Sequence, residues 1–600
     1  MLGATLDTRV SNLWHDARMP SHAEVAHLLA ARDDLTAPGA GFAMRTEEVL
    51  GREVRVFATA PPSLRTFWEL AELHGDKPYI VFEDEQLTYA ETAAAVRSLA
   101  HHLVAEHGVG SGDRVGIAMR NYPEWVIGHW ATLCVGAAAV GLNAWWTTPE
   151  LRHGITDSAP KVLLVDDERL ARIEPILDEL RADGPLPVIA VRTDRELPPG
   201  TVAWDAVVDP ATAPAQLPPA DIHPDDDALV FYTSGTTGFP KGAQITHRGS
   251  VHNVLHLVYW SVLTATAGAK AMAAAGDDAT PDDAPAAPAQ PVFMGATPLF
   301  HVTACNCLLH PATIAGGRVV LMHKWDAGRA LELIEREGVT NFSGVPTMGR
   351  ELISHPDFAT RDTSTLSSIA GGGAPVPPDL VDKIDHALPK GAPTTGYGLT
   401  ETSGIITANA AAYYLAKPLS CGPVVPTLDA KLVDELGETV EGPDAVGQLW
   451  VKGPIVIKGY LNRPEATAEA IVDGWFDTGD IARIDEDGFV FIVDRAKDMV
   501  LRGGENVYCS EVEAAIYEHP DVAEAAVFGV PDERLGEAVA AAIVVRDGAA
   551  LDEAGLRAFL DGRIATHKIP TTTWFRAEAL PRNATGKFLK RALRDELLGT

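Results

Sequence analysis

Between residues 114 and 191, short apolar runs alternate with stretches long enough for a helix, and this rhythm constrains the fold of the chain more than any other feature. Residues 115–119, 162–165 and 188–191 are almost uniformly apolar, as strands covered on both faces must be, and 123–139 and 169–180 between them have helical length. Strand and helix in alternation predict parallel α/β layers. The rhythm returns at 319–322, at a helix starting from Asp326 whose Ala327, Leu331 and Ile334 share one face, and at a strand over 341–345, so two such layers are expected. From Cys421 to Asp494 the pattern changes to short alternating runs broken by Gly, Pro and Asp, which predicts a small β-rich unit. Beyond Arg495, short strands (525–530, 540–545) and helices (510–517, 552–560) predict a compact α+β domain with its boundary near 494–498. Residues 264–291 are rich in Ala, Gly, Asp and Pro with almost no large apolar side chain, so they are expected to form a surface insertion without a packed element. The first sixty residues hold an amphipathic helix over 22–32 and a hairpin around Gly51, with no legible chemistry.

Six hundred residues, 46% of them hydrophobic, exceed one core and predict at least two domains. The 82 acidic residues outnumber 49 basic ones, a net charge of −33 that repels nucleic acid and anionic lipid over most of the surface. Any anionic ligand must be captured locally. Residues 1–20 lack the continuous apolar run of a signal peptide or anchor, and no later segment approaches the length of a membrane span. Five cysteines without framework spacing suit a reducing cytoplasm. His301, Cys305, Cys307 and His310 offer four potential metal ligands, yet their spacing matches no usual zinc arrangement and 302–314 is apolar enough for a buried helix, so a metal is rejected there.

The run Tyr232-Thr-Ser-Gly-Thr-Thr-Gly-Phe-Pro-Lys-Gly242 points to ATP. Gly235, Gly238 and Gly242 let the backbone turn its N–H groups toward an anion, Thr233, Ser234, Thr236 and Thr237 add hydroxyl donors, and Lys241 adds a charge. The Walker pattern is excluded, because Lys241 is followed by Gly242 and by strand-like 243–246 instead of by Ser or Thr opening a helix.

Seven further motifs follow in order: Pro298-Leu-Phe-His301, Gly371-Gly-Gly-Ala-Pro375, Thr395-Gly-Tyr-Gly-Leu-Thr-Glu-Thr402, Trp475-Phe-Asp-Thr-Gly-Asp480, Asp494-Arg-Ala-Lys-Asp498, Gly503-Gly-Glu-Asn-Val507 and Pro581-Arg-Asn-Ala-Thr-Gly-Lys587. With them the chain, over about residues 63–589, resembles the adenylate-forming acyl-CoA synthetase superfamily, which includes 4-coumarate-CoA ligases. The resemblance implies an N-terminal extension (1–62), a large domain of two α/β layers plus a small β-barrel (63–494), and a small mobile α+β C-terminal domain (495–600).

It also implies roles. Tyr397 offers a flat ring for a purine, and Gly371, Gly372 and Gly373 allow close backbone approach, so that with Ala374, Pro375, Gly396 and Gly398 they form the adenine site. Thr400 donates to a phosphate, and Glu401 is a hard oxygen ligand for Mg²⁺, although a Thr-Glu pair by itself suits a helix start equally well. Asp480 falls on the ribose hydroxyls with Arg495 assisting; outside the family it is an ordinary turn residue. Lys587 is the catalytic residue of adenylation together with Thr233, Glu401 and His301. Lys497 marks the hinge, and Gly503, Gly504 and Asn506 face the CoA pantetheine after domain rotation. Gly398 stands where acetate-specific relatives have a tryptophan, which opens the acid pocket; Val302, Asn306, Gly344, Val345 and Gly371 line the rest, and His301 either gates it or is a satisfied histidine at a strand end.

The expected reaction joins a medium- or long-chain fatty, or bulky aryl or alicyclic, acid to AMP at the expense of ATP and then to CoA. Donation to a carrier protein, a luciferase-like oxygenase and a silent nucleotide-binding relative are the alternatives, and homodimerisation is left open.

Overall fold

The computed structural model describes residues 22–233, 240–274, 290–374, 376–388, 391–434, 436–443, 445–502, 505–546, 548–583 and 587–599. Two eight-stranded, mainly parallel sheets form the large α/β domain. The first has the spatial order Gly459–Tyr460, Lys241–Thr246, Asp227–Thr233, Ala138–Gly141, Arg114–Ala118, Val162–Asp166, Val188–Val191, Thr201–Ala203. The second runs Gly404–Ala410, Ala392–Leu399, Ser368–Gly372, Asn341–Gly344, Val292–Gly295, Arg318–Leu321, Pro78–Phe82, Glu85–Thr88. One apolar cluster joins their facing sides: Val115, Ile117 and Phe231 from the first sheet and Ile80 and Val319 from the second close on Trp125 and Trp130 of helix Pro123–Cys134. Burial on both faces explains why these strands are apolar throughout. Phe231 and Phe342, each 1% exposed, contribute about 1.5–3 kcal/mol apiece by leaving water.

Two sequence expectations fail here. The expected helix over 123–139 stops at Cys134, since Gly136 adopts a left-handed φ of 81°, and Ala138–Gly141 is a fully buried strand of the first sheet. Nor does 264–291 begin an unpacked insertion: helix His247–Ala274 extends into it as far as Ala274, with Ala267 buried against helix His22–Thr36 and Lys270 2.7 Å from Asp34. Alanine-rich sequence favours helix intrinsically, and its small side chains allow close packing. The remainder of that segment, 275–289, lies outside the described residues.

The β-rich unit is a seven-stranded antiparallel sheet built around Val446–Lys452, Trp475–Ile484 and Phe489–Arg495. A smaller C-terminal domain has its own five-stranded sheet, with Val522–Asp532 and Gly536–Val545 at its centre, and its own cores around Val512, Val527 and Ile543 and around Phe528 and Leu593. No described helix is long and apolar enough to cross a membrane.

Candidate active site

Strands of both sheets end close together, Tyr460 at the edge of the first reaching Glu401 beyond Ala392–Leu399 of the second, and α/β sheets bind ligands in the crevice at such strand ends. Thr233 ends Asp227–Thr233 and pairs across the antiparallel ladder with Lys241. Ser234, Gly235, Thr236, Thr237 and Gly238 lie outside the described residues. The Lys241 ammonium sits 4.6 Å from the centre of the Tyr460 ring. Tyr460 in turn donates its hydroxyl to Glu401 Oε1 at 2.9 Å. Burial and the Glu401 charge push the Tyr460 hydroxyl well up, so it remains a donor. Tyr460 was missed in the sequence, where it is the residue after an alternating apolar run. Thr400 and Glu401 occupy a single 3₁₀ turn after Ala392–Leu399.

The glycines of the second sheet bring backbone together. Gly372 pairs with Gly396, Gly373 takes a φ of 77°, and Ala374 follows; Pro375 lies outside the described residues. Tyr397 donates its hydroxyl to Asp480 Oδ2 at 2.7 Å, and Arg495 Nε lies 3.3 Å from Asp480 Oδ1. Asp480 is therefore no turn residue. It sits within strand Trp475–Ile484, directly opposite Arg495, and burial raises its carboxyl while Arg495 lowers it.

Lys587 is brought to this crevice from the other end of the chain. A Cβ on Gly373 would stand 3.9 Å from Lys587 Cε, and the Lys587 backbone is tied to Asn583 by reciprocal bonds of 3.0 and 2.9 Å. Burial, with repulsion from Arg495, brings the Lys587 ammonium down to about 8, against the pull of Asp480 and Glu401. Burial and then Lys587 push His301 down to about 3, so its imidazole is neutral, and its Nε2 is buried without a partner among the described residues. Lys587, Asp480, Arg495, Glu401 and His301 thus share one electrostatic environment.

The acid side differs from expectation at three positions. A Cβ on Gly398 would lie 1.8 Å from the Gly404 carbonyl oxygen, so this glycine does not open a pocket; it lets two strands meet at a bulge. Asn306 does not line a pocket either. It is fully buried, its amide nitrogen donating to Ser403 O at 2.8 Å and Ser250 Oγ at 3.1 Å, while its Oδ1 is buried with no partner among the described residues. Val302 packs into the core between the sheets. Val345 and Gly371 do line an apolar cavity, with Pro346, Ile369, Val376 and Tyr414, and Gly344 pairs with Gly371 beside it.

At the junction to the C-terminal domain, Asp494 accepts a hydrogen bond from the Cys509 N–H, and burial raises its carboxyl to about 6. Lys497 follows Phe489–Arg495, and its charge acts on Asp477. Asn506 lies on Glu505–Val507, paired with Leu501; Gly503 and Gly504 lie outside the described residues. Among the described residues one set of potential metal ligands converges, and it is not the set considered from sequence: His129 joins Cys305 and His310, within 4.8 Å. The two imidazoles meet through their Nε2 atoms at 2.8 Å, the distance of a hydrogen bond through one shared proton, and burial pushes both well down.

A family model described as AMP-binding enzyme matches residues 67–461, and one described as AMP-binding enzyme C-terminal domain matches 511–587. Feruloyl-CoA synthase from an Amycolatopsis species is 37% identical over 509 residues, 85% of this chain and 93% of that protein. Long-chain-fatty-acid–CoA ligase of Bacillus subtilis is 32% identical over 540 residues, 87% of this chain and 92% of that one. Among solved structures, ATP-bound MatB from Rhodopseudomonas palustris matches with a TM-score of 0.75 at 31% identity, covering 89% of this chain and 99% of that one. The o-succinylbenzoate CoA synthetase of Bacillus subtilis with its acyl-adenylate intermediate matches with a TM-score of 0.71 at 29% identity, over 90% and 99% of the two chains.

Proposed function

We infer, from the premise that this chain belongs to the AMP-binding enzyme family and is an ATP-dependent, AMP-forming acyl-CoA synthetase, that it activates a bulky hydrophobic acid, aryl or fatty, at the crevice between its domains. The observation that carries this reading is the position of Lys587, beside Gly373 and within the electrostatic reach of Glu401, Asp480 and His301. The apolar lining beside Gly371, from Val345, Pro346, Ile369 and Val376, matches the character of such an acid, and relatives named for feruloyl-CoA and for long-chain fatty acids support the reading.

In the first half-reaction the acid carboxylate attacks the α-phosphate of ATP and pyrophosphate leaves. Thr233 and Lys241 hold the outer phosphates together with 234–238, Tyr397 and Gly372–Ala374 take the adenine, and Asp480 with Arg495 takes the ribose. Lys587 neutralises charge between the incoming carboxylate and the α-phosphate. Glu401 fits Mg²⁺, since Tyr460 engages only one carboxylate oxygen; bound there, the ion neutralises phosphate charge. A boundary near 494–498 then lets the C-terminal domain turn about Lys497, withdrawing Lys587 and presenting Gly503, Gly504 and Asn506 to CoA. The five free cysteines agree with work in a reducing cytoplasm.

The test is pyrophosphate release across a panel of aryl and fatty acids, with and without CoA, followed by mass identification of the product. Lys587→Ala is expected to abolish adenylation while leaving thioester formation from supplied acyl-AMP largely intact. Equal loss of both half-reactions overturns the domain alternation.

A further inference from the structure

We propose that Asn121 is a positioning residue for acid binding, acting by clamping the backbone that carries His301. The inference rests on the reading of His301 as a group on the acid side of the site. Asn121 follows strand Arg114–Ala118 of the first sheet, whereas the Thr297–His301 loop leaves strand Val292–Gly295 of the second. Its side chain bridges the two: Nδ2 donates to the Thr297 carbonyl at 3.0 Å, and Oδ1 accepts from the Leu299 N–H at 2.8 Å. Asn121 is 5% exposed, so water offers no substitute for either bond.

The rest of the loop depends on the same sheet. The His301 N–H closes a turn onto the Pro298 carbonyl at 3.1 Å, so the orientation of His301 follows from the segment that Asn121 holds. Phe300 lies over Gly141, where a Cβ would come within 3.1 Å of the Phe300 Cα, and packs edge-on against Trp145 at 5.5 Å between ring centres. These contacts fix the height of the loop and are indifferent to its register. The amide fixes register, because it is matched to one carbonyl and one N–H two residues apart. The buried Nε2 of His301, without a partner among the described residues, is the atom whose placement depends on it.

Among side chains of this size only an amide carries a donor and an acceptor in that geometry. Aspartate is nearly isosteric but turns an oxygen toward the Thr297 carbonyl, and alanine releases both ends. We expect Asn121→Asp and Asn121→Ala to raise the KM for the acid about tenfold, measured by pyrophosphate release with ferulic or palmitic acid, while the KM for ATP stays within about twofold. KM does not depend on how much of the preparation is folded, so a loss of yield does not mimic this result. The double variant Asn121→Ala/His301→Ala is expected to have the acid KM of His301→Ala alone, since a residue acting through another adds nothing once the other is gone. Equal rises in both KM values, an unchanged acid KM, or additive effects in the double variant overturn the proposal. If His301→Ala raises the acid KM and the Asn121 variants do not, the clamp alone is refuted; if His301→Ala leaves it unchanged, the acid-side reading of His301 falls as well.

Discussion

The Lys587 ammonium makes the first half-reaction sensitive to pH in a range where an ordinary lysine is silent. Its pKa is brought down from 10.5 to about 8, chiefly by burial and next by Arg495. At about 1.4 kcal/mol for each pH unit, the crevice costs the charged form about 3 kcal/mol before substrate binds. The sign follows from the charge required: the reaction needs the ammonium, and rising pH removes it. Pyrophosphate release without CoA should therefore show a kcat/KM for ATP that is level below about pH 7.5 and falls about tenfold per unit above pH 8, with about a tenth of the free enzyme competent at pH 9. Bound polyphosphate restores negative charge beside the lysine, so the fall in kcat should lie at higher pH than the fall in kcat/KM. Lys587→Arg, whose guanidinium stays charged, should be slower at neutral pH and lack the alkaline fall. Thioester formation from supplied acyl-AMP should not share it. A kcat/KM level to pH 10, or the same alkaline fall in both half-reactions, would refute the assignment.

Three other outcomes follow from particular contacts. Gly398→Ala places a Cβ 1.8 Å from backbone, so the two strands must part; we expect a loss of about 1–3 kcal/mol together with adenylation, checked by thermal melting and pyrophosphate release, and an intact variant would show that the bulge yields freely. Tyr460→Phe removes the 2.9 Å bond that orients Glu401 and should raise the Mg²⁺ concentration needed for half-maximal adenylation, with little change in melting temperature. The Asp494 carboxyl, raised to about 6 by burial and only partly lowered by Lys590, contributes stability that is complete below its unfolded value of 3.8 and is lost as pH rises through 6. The stability of Asp494→Asn relative to wild type should therefore improve by about 2 kcal/mol between pH 4.5 and 7.5, as read from denaturant melts.

Much of this protein was legible before any coordinates, because some properties depend only on neighbours along the chain. Strands covered on both faces must be apolar throughout, so 162–165 and 188–191 betrayed the parallel layers. The helix start expected at Asp326 is likewise local: the helix runs Ala327–Glu337, and the Asp326 carboxylate caps it by accepting from the Arg329 N–H. Local pattern misled where a buried strand followed a buried helix, since Ala138–Gly141 continues the apolar character of Pro123–Cys134 and only the left-handed Gly136 separates them. It misled again at Ala267, where a small residue packs because another helix happens to lie against it. Ligand grips of unusual composition, the glycine- and hydroxyl-rich loop above all, are written into adjacent residues. The distant pairings are not: Tyr460 with Glu401, Tyr397 with Asp480, Asn121 with the His301 loop, and Lys587 beside Gly373 join residues tens to hundreds of positions apart. A hydrogen bond requires placement to a few tenths of an ångström, and that precision comes from the packing of whole sheets against one another, which no short stretch of sequence encodes.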